Sequence, residues 1–397
     1  MHASLLGILL LAVQTHGHLD STEVARVLAE LKVVDSTVCE LAGQALTNYG
    51  GFWGGGRDFS SALMPMPRPM PTPMPMPGGG IAGVMRDVTH GNRDHKSGVD
   101  AATLGAFRAV LRDDNRCVRN IAARVLGNHN PAGTYELFIG LLRDAKPGLR
   151  ETGAIGLGEL EDSRAIGPLG DALDDAEAAV RARAAWALGE IDEAGAIDPL
   201  ARALKDRAPE VRRAAVWALG EIENVRAVRP LGEALNDASL DVRLTAAWAL
   251  GEIEDESAVP LLATAAKDRE PKVRQAAAWA LGQIESAQAV AALGPLVGDP
   301  AIEVRKAAIW ALGEIEDASA VESLVAGLKD PDIDVRVAAA WALGEIESPL
   351  ALDGLKAAQQ DQSGAVRRAA SWALRQIDDD DNPRVHVHVR PRVKIKS

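Results

Sequence analysis

The stretch DRAPEVRRAAVWALGEIE at 206–223 decides the fold, because much of the chain repeats its pattern. Val211, Ala215 and Leu219 recur at the spacing of one helix face. A second apolar stripe at helical spacing precedes this one at 197–204. The sequence therefore predicts two helices in this unit, joined by a short turn.

The pattern returns every 31 residues without slippage. An aspartate, an arginine six residues later and a glycine eight residues after that recur in nearly every unit, the aspartates running from Asp113 to Asp361 and the arginines from Arg119 to Arg367. Tryptophan occupies one register position in seven units: Trp186, Trp217, Trp248, Trp279, Trp310, Trp341 and Trp372. Because neither helix of a unit can bury its stripe alone, neighbouring units must stack. We predict an all-α fold, a right-handed α-α superhelix with a 31-residue repeat.

The Asp, the Val-Arg pair and the Ala-Leu-Gly-Glu-Ile ending resemble the HEAT-like repeats of the phycobilisome-lyase type over roughly 101–378. That family includes bilin lyase subunits, deoxyhypusine hydroxylases and binding scaffolds. The resemblance therefore implies a HEAT-repeat solenoid and leaves an enzyme subunit open as an alternative. Hydroxylases of this type use His-Glu pairs for a di-iron centre, and this sequence contains no His-Glu dipeptide.

Composition changes divide the chain into five parts. Residues 1–18 read as a signal peptide, and 19–48 as a degenerate N-terminal cap repeat. A Gly-rich and Met-Pro-rich insertion at 49–100 precedes the array of nine repeats at 101–378. An acidic run and a basic tail follow at 379–397.

The predicted signal peptide places the protein outside the cytoplasm, in the periplasm or the extracellular space. No other apolar run is long enough to span a membrane. Cys39 and Cys117 are the only cysteines and could pair in an oxidising compartment, which the sequence leaves open.

Charge argues against nucleic acid as a partner. The net charge is −13, and residues 382–397 contribute five positive charges and no negative one, so residues 1–381 carry −18. Phosphate contacts need a basic face. The sequence also lacks a nucleophile motif, a phosphate loop and a convincing metal site. We therefore expect no catalysis, no metal and no cofactor.

The recurring Asp and Arg are predicted to be structural. The Asp should cap the turn between the two helices, and the Arg should reach an Asp in its own or the next unit. The recurring glycines should allow close approach of helices near the end of each second helix.

The tryptophans carry the functional hypothesis. On a helical wheel Trp186 lies about 150° from the centre of the buried stripe, beside Glu190. This placement predicts an accessible, concave Trp row with an acidic rim: Glu190, Glu221, Glu252, Glu314 and Glu345. The expected partner is a protein or an extended peptide, proline-rich or basic in character, and residues 64–77 of the chain itself are one candidate.

Two other interpretations remain open for the tryptophans. Each indole could instead lie flat in the seam between neighbouring second helices. The array could also be a purely structural spacer, in which the rings stabilise the fold and bind nothing.

Overall fold

The computed structural model describes residues 21–32 and 100–378, and in these ranges the chain is helical and contains no strand. It forms two compact units, Met1–Ala265 and Ala266–Ser397. The predicted signal peptide, the 49–99 part of the insertion and the tail at 379–397 lie outside the described residues, as do 19–20 and 33–48 of the predicted cap.

Twelve helices are described in the first unit. They are α1 Ser21–Leu31, α2 Ala101–Ala109, α3 Arg116–His129, α4 Thr134–Leu142, α5 Pro147–Leu160, α6 Ile166–Ala172, α7 Ala178–Glu190, α8 Ile197–Ala203, α9 Pro209–Glu221, α10 Val228–Ala234, α11 Leu240–Glu252 and α12 Val259–Ala265.

The described part of the second unit continues the alternation. Its helices are α13 Pro271–Gln283, α14 Val290–Leu293, α15 Ile302–Ile315, α16 Val321–Gly327, α17 Ile333–Ile346, α18 Leu352–Ala358 and α19 Gly364–Asp378.

From α3 onward the odd-numbered helices are the second helices of the repeats, and within each unit they pack against one another in chain order. In the first unit these are α3, α5, α7, α9 and α11, and in the second unit α13, α15, α17 and α19. Within each unit, the shorter, even-numbered first helices pack against the second helices that follow them. The all-α, helical-repeat prediction is confirmed.

The core of each repeat lies between its two helices, as the apolar stripes require. Leu200 on α8 and Val211, Ala215 and Leu219 on α9 are completely buried. Burial of these side chains is the main term that holds stacked repeats together, at about 25 cal/mol per Å² of apolar surface.

The second helices end in an unusual way. One or two residues after seven of these helices, the backbone becomes left-handed at an acidic residue rather than at the usual glycine: Glu161, Asp192, Glu223, Glu254, Glu285, Glu316 and Glu347, with φ between 45° and 53°. A side chain with a Cβ is disfavoured in this region, so each helix end carries a local cost.

The first described helix, α1, packs on α2. Lys32, just after α1, places its Nζ 2.5 Å from Oδ2 of Asp113, and its carbonyl oxygen accepts a hydrogen bond from the Asn115 side chain. At the other end of the array, Arg375 replaces the glycine of the repeat and is exposed.

Candidate functional site

The recurring Asp and Arg form a ladder that links consecutive repeats. In each rung, Nε and Nη2 of the arginine donate to the two carboxylate oxygens of the aspartate in the next repeat, over 2.6–3.1 Å. Six such rungs lie within the two units: Arg150–Asp175, Arg181–Asp206, Arg212–Asp237, Arg274–Asp299, Arg305–Asp330 and Arg336–Asp361.

Both partners also stabilise the turns between the helices. Nη1 of Arg212 donates to the carbonyl oxygens of Asp206 and Arg207, and Oδ1 of Asp206 accepts the backbone N–H of Ala208. The predicted capping role of the aspartate and the predicted reach of the arginine into the next unit are therefore both observed. The recurring Asp and Arg side chains therefore stabilise the fold.

The recurring glycines make room for the next repeat. A Cβ built on Gly189 would lie 2.8 Å from Cα of Ala218 and 3.1 Å from Cζ3 of Trp217. The same contact recurs between Gly282 and Trp310 at 2.9 Å. Five indoles, those of Trp186, Trp217, Trp248, Trp310 and Trp372, thus lie over the glycine of the preceding repeat, where a larger residue would displace them.

This packing overturns the predicted accessible Trp row in four places. Trp186, Trp217 and Trp248 are 4% exposed and Trp279 is 7% exposed. The helical wheel considers one helix alone, whereas the rings of Trp186, Trp217 and Trp248 contact the glycine of the preceding repeat. For the four buried residues the predicted accessibility is wrong, and for these three the structure shows the seam packing that the sequence left open.

Three tryptophans of the second unit differ from these four. Trp310, Trp341 and Trp372 are half-buried, on the neighbouring helices α15, α17 and α19. The ring centroids of Trp341 and Trp372 lie 3.9 Å apart with the planes tilted by 45°. Ala307 and Ala338, one turn before two of these rings, are also half-buried, so they add apolar surface to the same helix face.

A row of variable side chains runs beside the tryptophans. In the seven repeats that carry a tryptophan, the position that follows the recurring arginine varies in chemistry: Ala182, Arg213, Leu244, Gln275, Lys306, Val337 and Arg368. All of these except Ala182 are at least partly exposed. Two positions further along, every one of these repeats has a completely buried alanine, from Ala184 to Ala370. The second-helix face therefore combines an invariant floor with a chemically varied surface.

The predicted acidic rim is only partly accessible. Glu190, Glu221, Glu252 and Glu314 are half-buried, and Glu345 is exposed. The structure places these carboxylates one turn beyond the tryptophans, as the register predicts.

Two arginines lie beside the first tryptophan of the row. Arg124 occupies the Trp register position two repeats before Trp186, donates to Glu159 at 2.8 Å and places its guanidinium 5.4 Å from the ring centroid of Trp186. Arg183 lies 5.3 Å from the same centroid, and burial lowers its pKa to about 10. Both distances fit cation–π contacts with the indole. Sequence reasoning missed this cluster, although the arginine at a Trp register position was its signal.

Cys117 forms a disulfide bond. The other cysteine of the predicted pair, Cys39, lies outside the described residues. Among residues 21–32 and 100–378, no cluster of three or more His, Cys, Asp or Glu side chains is arranged to hold a metal ion. Within those same ranges, no helix has the length and apolar character needed to cross a membrane.

The model of the family described as HEAT repeats matches the chain at 105–177, 166–243, 228–301 and 292–375, which together cover more than half of its length. The chain belongs to the HEAT-repeat family. The resemblance stated from the sequence is thereby confirmed. No curated protein sequence matches this HEAT-repeat chain.

Solved structures agree with this fold. Importin beta has 14% sequence identity and a TM-score of 0.58, with 94% of this chain and 53% of that chain covered. Kap95p in a complex with RanGDP has 13% identity and a TM-score of 0.55, with 96% and 55% covered. The complex of the phycocyanin lyase proteins CpcE and CpcF from Nostoc sp. PCC7120 has 26% identity and a TM-score of 0.35, with 54% and 94% covered. At these identities the likeness to the first two shows the shared solenoid fold.

Proposed function

We propose that this HEAT-repeat chain is a non-catalytic scaffold that binds a protein or an extended peptide through the second-helix face of α15, α17 and α19. The observation that carries the proposal is the half-buried state of Trp310, Trp341 and Trp372 on three adjacent helices. Four other indoles at the same register position are buried, so incomplete coverage of these three is not a general property of the repeat.

The chemistry of this face suits an extended partner with apolar or proline residues. Indole rings offer large, rigid contact areas for such groups. Lys306, which contacts Asp334 at 3.2 Å, and the exposed Arg368 and Glu345 add charges of both signs beside the rings. The varied row that includes Val337 would supply specificity, because it is where neighbouring repeats differ most in chemistry.

The test begins with a photo-crosslinking residue at position 337, which captures a partner for identification. Binding of that purified partner is then compared between wild type, Val337→Glu and Leu350→Glu. Both substitutions place a carboxylate at an accessible apolar position. Leu350 is the control because it lies in the turn before α18, outside the proposed second-helix face. We expect about tenfold weaker binding for Val337→Glu and no change for Leu350→Glu. Equal affinities, or no captured partner, would favour the structural spacer.

Residues 64–77 remain a candidate occupant from within the chain, although they lie outside the described residues. Prolines pack well against indoles, and this segment alternates Met and Pro around Arg68. Deletion of 62–80 should change the tryptophan fluorescence of the chain if the segment covers the rings. An unchanged spectrum would remove it from consideration.

The non-catalytic part of the proposal has its own test. Metal analysis and a bilin-transfer assay on the purified chain address the hydroxylase-type and lyase-type alternatives directly. Stoichiometric iron or chromophore transfer would replace the scaffold proposal with an enzymatic one.

We also propose a location outside the cytoplasm. The disulfide at Cys117 supports it, because structural disulfides persist in oxidising compartments. Fractionation of the native host, with the chain recovered only from the cytoplasm, would contradict this.

A further inference from the structure

One arginine of the ladder lacks the partner that its counterparts have. Arg119 donates Nη1 to the carbonyl oxygens of Asp113 and Asp114, as the other ladder arginines do within their own turns. Its Nε, however, donates to Oγ1 of Thr152 at 3.3 Å, and none of the described residues accepts a hydrogen bond from its Nη2. Arg119 as a whole is only 7% exposed, so most of the side chain is covered by protein while Nη2 has no acceptor among the described residues.

The aspartate that the 31-residue repeat would pair with Arg119 is bound by another arginine. Asp144 lies 25 residues after Arg119, the separation found in each complete rung. Its Oδ2 instead accepts a hydrogen bond from Nη1 of Arg112 at 2.7 Å, and its Oδ1 accepts the backbone N–H of Lys146. The first rung is therefore open because a neighbouring arginine has taken its aspartate.

A cavity of about 120 Å³ lies at this open rung, lined by Arg112, Asp113, Asp114, Arg119, Lys146, Gly148 and Leu149. Helix α5 begins here, and its N-cap residue Lys146 makes no side-chain capping hydrogen bond. The positive end of a fourteen-residue helix thus faces the same space as the unpaired arginine nitrogen.

Gly148 keeps this space open. A Cβ built there would lie 2.7 Å from Nη2 of Arg119. The equivalent positions of later repeats carry a side chain in every case: Ala179, Glu210, Asp241, Lys272, Glu303, Asp334 and Ala365.

We propose that this cavity binds a carboxylate group, supplied by an acidic side chain or a chain terminus of a partner. The same arginine position binds a carboxylate through Nε and Nη2 in six rungs of this molecule, so the ligand chemistry is already defined by the repeat. The site lies at the turns between helices, apart from the second-helix face, and does not depend on the scaffold proposal.

Local charge favours a carboxylate over a phosphate. Three cations and two carboxylates line the cavity, which leaves one net positive charge. Asp113 is neutralised by Lys32, and Asp114 is almost fully exposed and lies 3.7 Å from Nζ of Lys146. A singly charged carboxylate balances this one net positive charge. A doubly charged phosphate would leave one excess negative charge beside the two aspartates.

The experiment uses the full chain and follows the Gly148 amide and the Arg119 Nε–H by NMR. The probes are N-acetyl-aspartate amide for a side-chain carboxylate, N-acetyl-glycine for a terminal carboxylate, and inorganic phosphate, at constant ionic strength. We expect saturable shifts with one or both carboxylates, and about tenfold weaker binding in Arg119→Gln.

A second variant leaves the site arginine in place. Arg112→Gln should release Asp144 to complete the rung with Arg119, and it should therefore abolish binding of the added carboxylate. Because Arg112 is exposed, this variant keeps the test decisive even if Arg119→Gln fails to fold. No saturable shift in the wild type, equal affinity in the two variants and the wild type, or tighter binding of phosphate would overturn the proposal.

Discussion

At the scale of single residues, the tryptophans and glycines of neighbouring repeats act as pairs. Cζ3 of Trp217 lies against Gly189, and Cζ3 of Trp310 lies against Gly282. The helical wheel describes one helix alone, so it could not show that the ring reaches across to a neighbour. The sequence shows the 31-residue spacing of the tryptophans directly. Their burial could not be predicted, because it depends on a contact between repeats.

The pairing predicts a large cost for a small substitution. Gly189→Ala places Cβ 2.8 Å from Cα of Ala218, so the next helix must shift. We expect a loss of about 1–3 kcal/mol in the free energy of unfolding, measured with urea. The matched control is Gly140→Ala on α4, where a Cβ meets nothing within 4 Å, and there we expect a gain of about 0.5–1 kcal/mol. A harmless Gly189→Ala would refute the close-packing role.

The acidic residues with positive φ predict the opposite effect. Glu223 lies two residues after the end of α9 and has a φ of 45°. Glu223→Gly removes the steric cost of its Cβ, so we expect a gain of about 0.5–1 kcal/mol in urea unfolding. Glu256→Gly, at an exposed position without positive φ, should not stabilise. Equal effects at both positions would mean that backbone strain is not the cause.

At the scale of helices and turns, the ladder could be predicted almost completely from the sequence. Its strict spacing predicted that the Asp and Arg pair, because stacked repeats bring equivalent positions together, but the sequence left open whether the partner lies in the same unit or the next. The exception at Arg119 could not be predicted, since Asp144 has the expected register and is diverted only by the position of Arg112.

The ladder predicts how stability depends on pH. A hydrogen bond from Arg150 lowers the pKa of Asp175 below its ordinary 3.8, and one from Arg336 does the same for Asp361. Carboxylates with a lowered pKa in the folded state stabilise it above their unfolded pKa, and this contribution is lost as the pH falls through the folded value. The urea midpoint should therefore change little between about pH 7 and 5 and fall below about pH 4.

Asp175→Asn tests the assignment to the ladder. This variant should have a lower midpoint at neutral pH and a shallower decline in acid, because one of the titrating groups is gone. An unchanged acid profile would place the pH dependence in other carboxylates.

At the scale of the whole molecule, each repeat contacts mainly its immediate neighbours, so stability should be distributed locally. We expect Gly189→Ala to speed amide hydrogen exchange in α7 and α9 more than in α15 and α17. Uniform acceleration across all of these helices would indicate that the described repeats unfold as a single cooperative block.

The two terminal repeats also determine what the protein can build with copies of itself. The uncovered end of a solenoid can bind the opposite end of another copy. Repeated head-to-tail addition would then give open-ended fibres. Lys32 already occupies Asp113 at one terminus, and Arg375 fills the place where a following indole would sit at the other. Because both side chains replace groups that stacking repeats use, we expect neither end of the described array to accept another copy of the chain, which light scattering at increasing concentration would check.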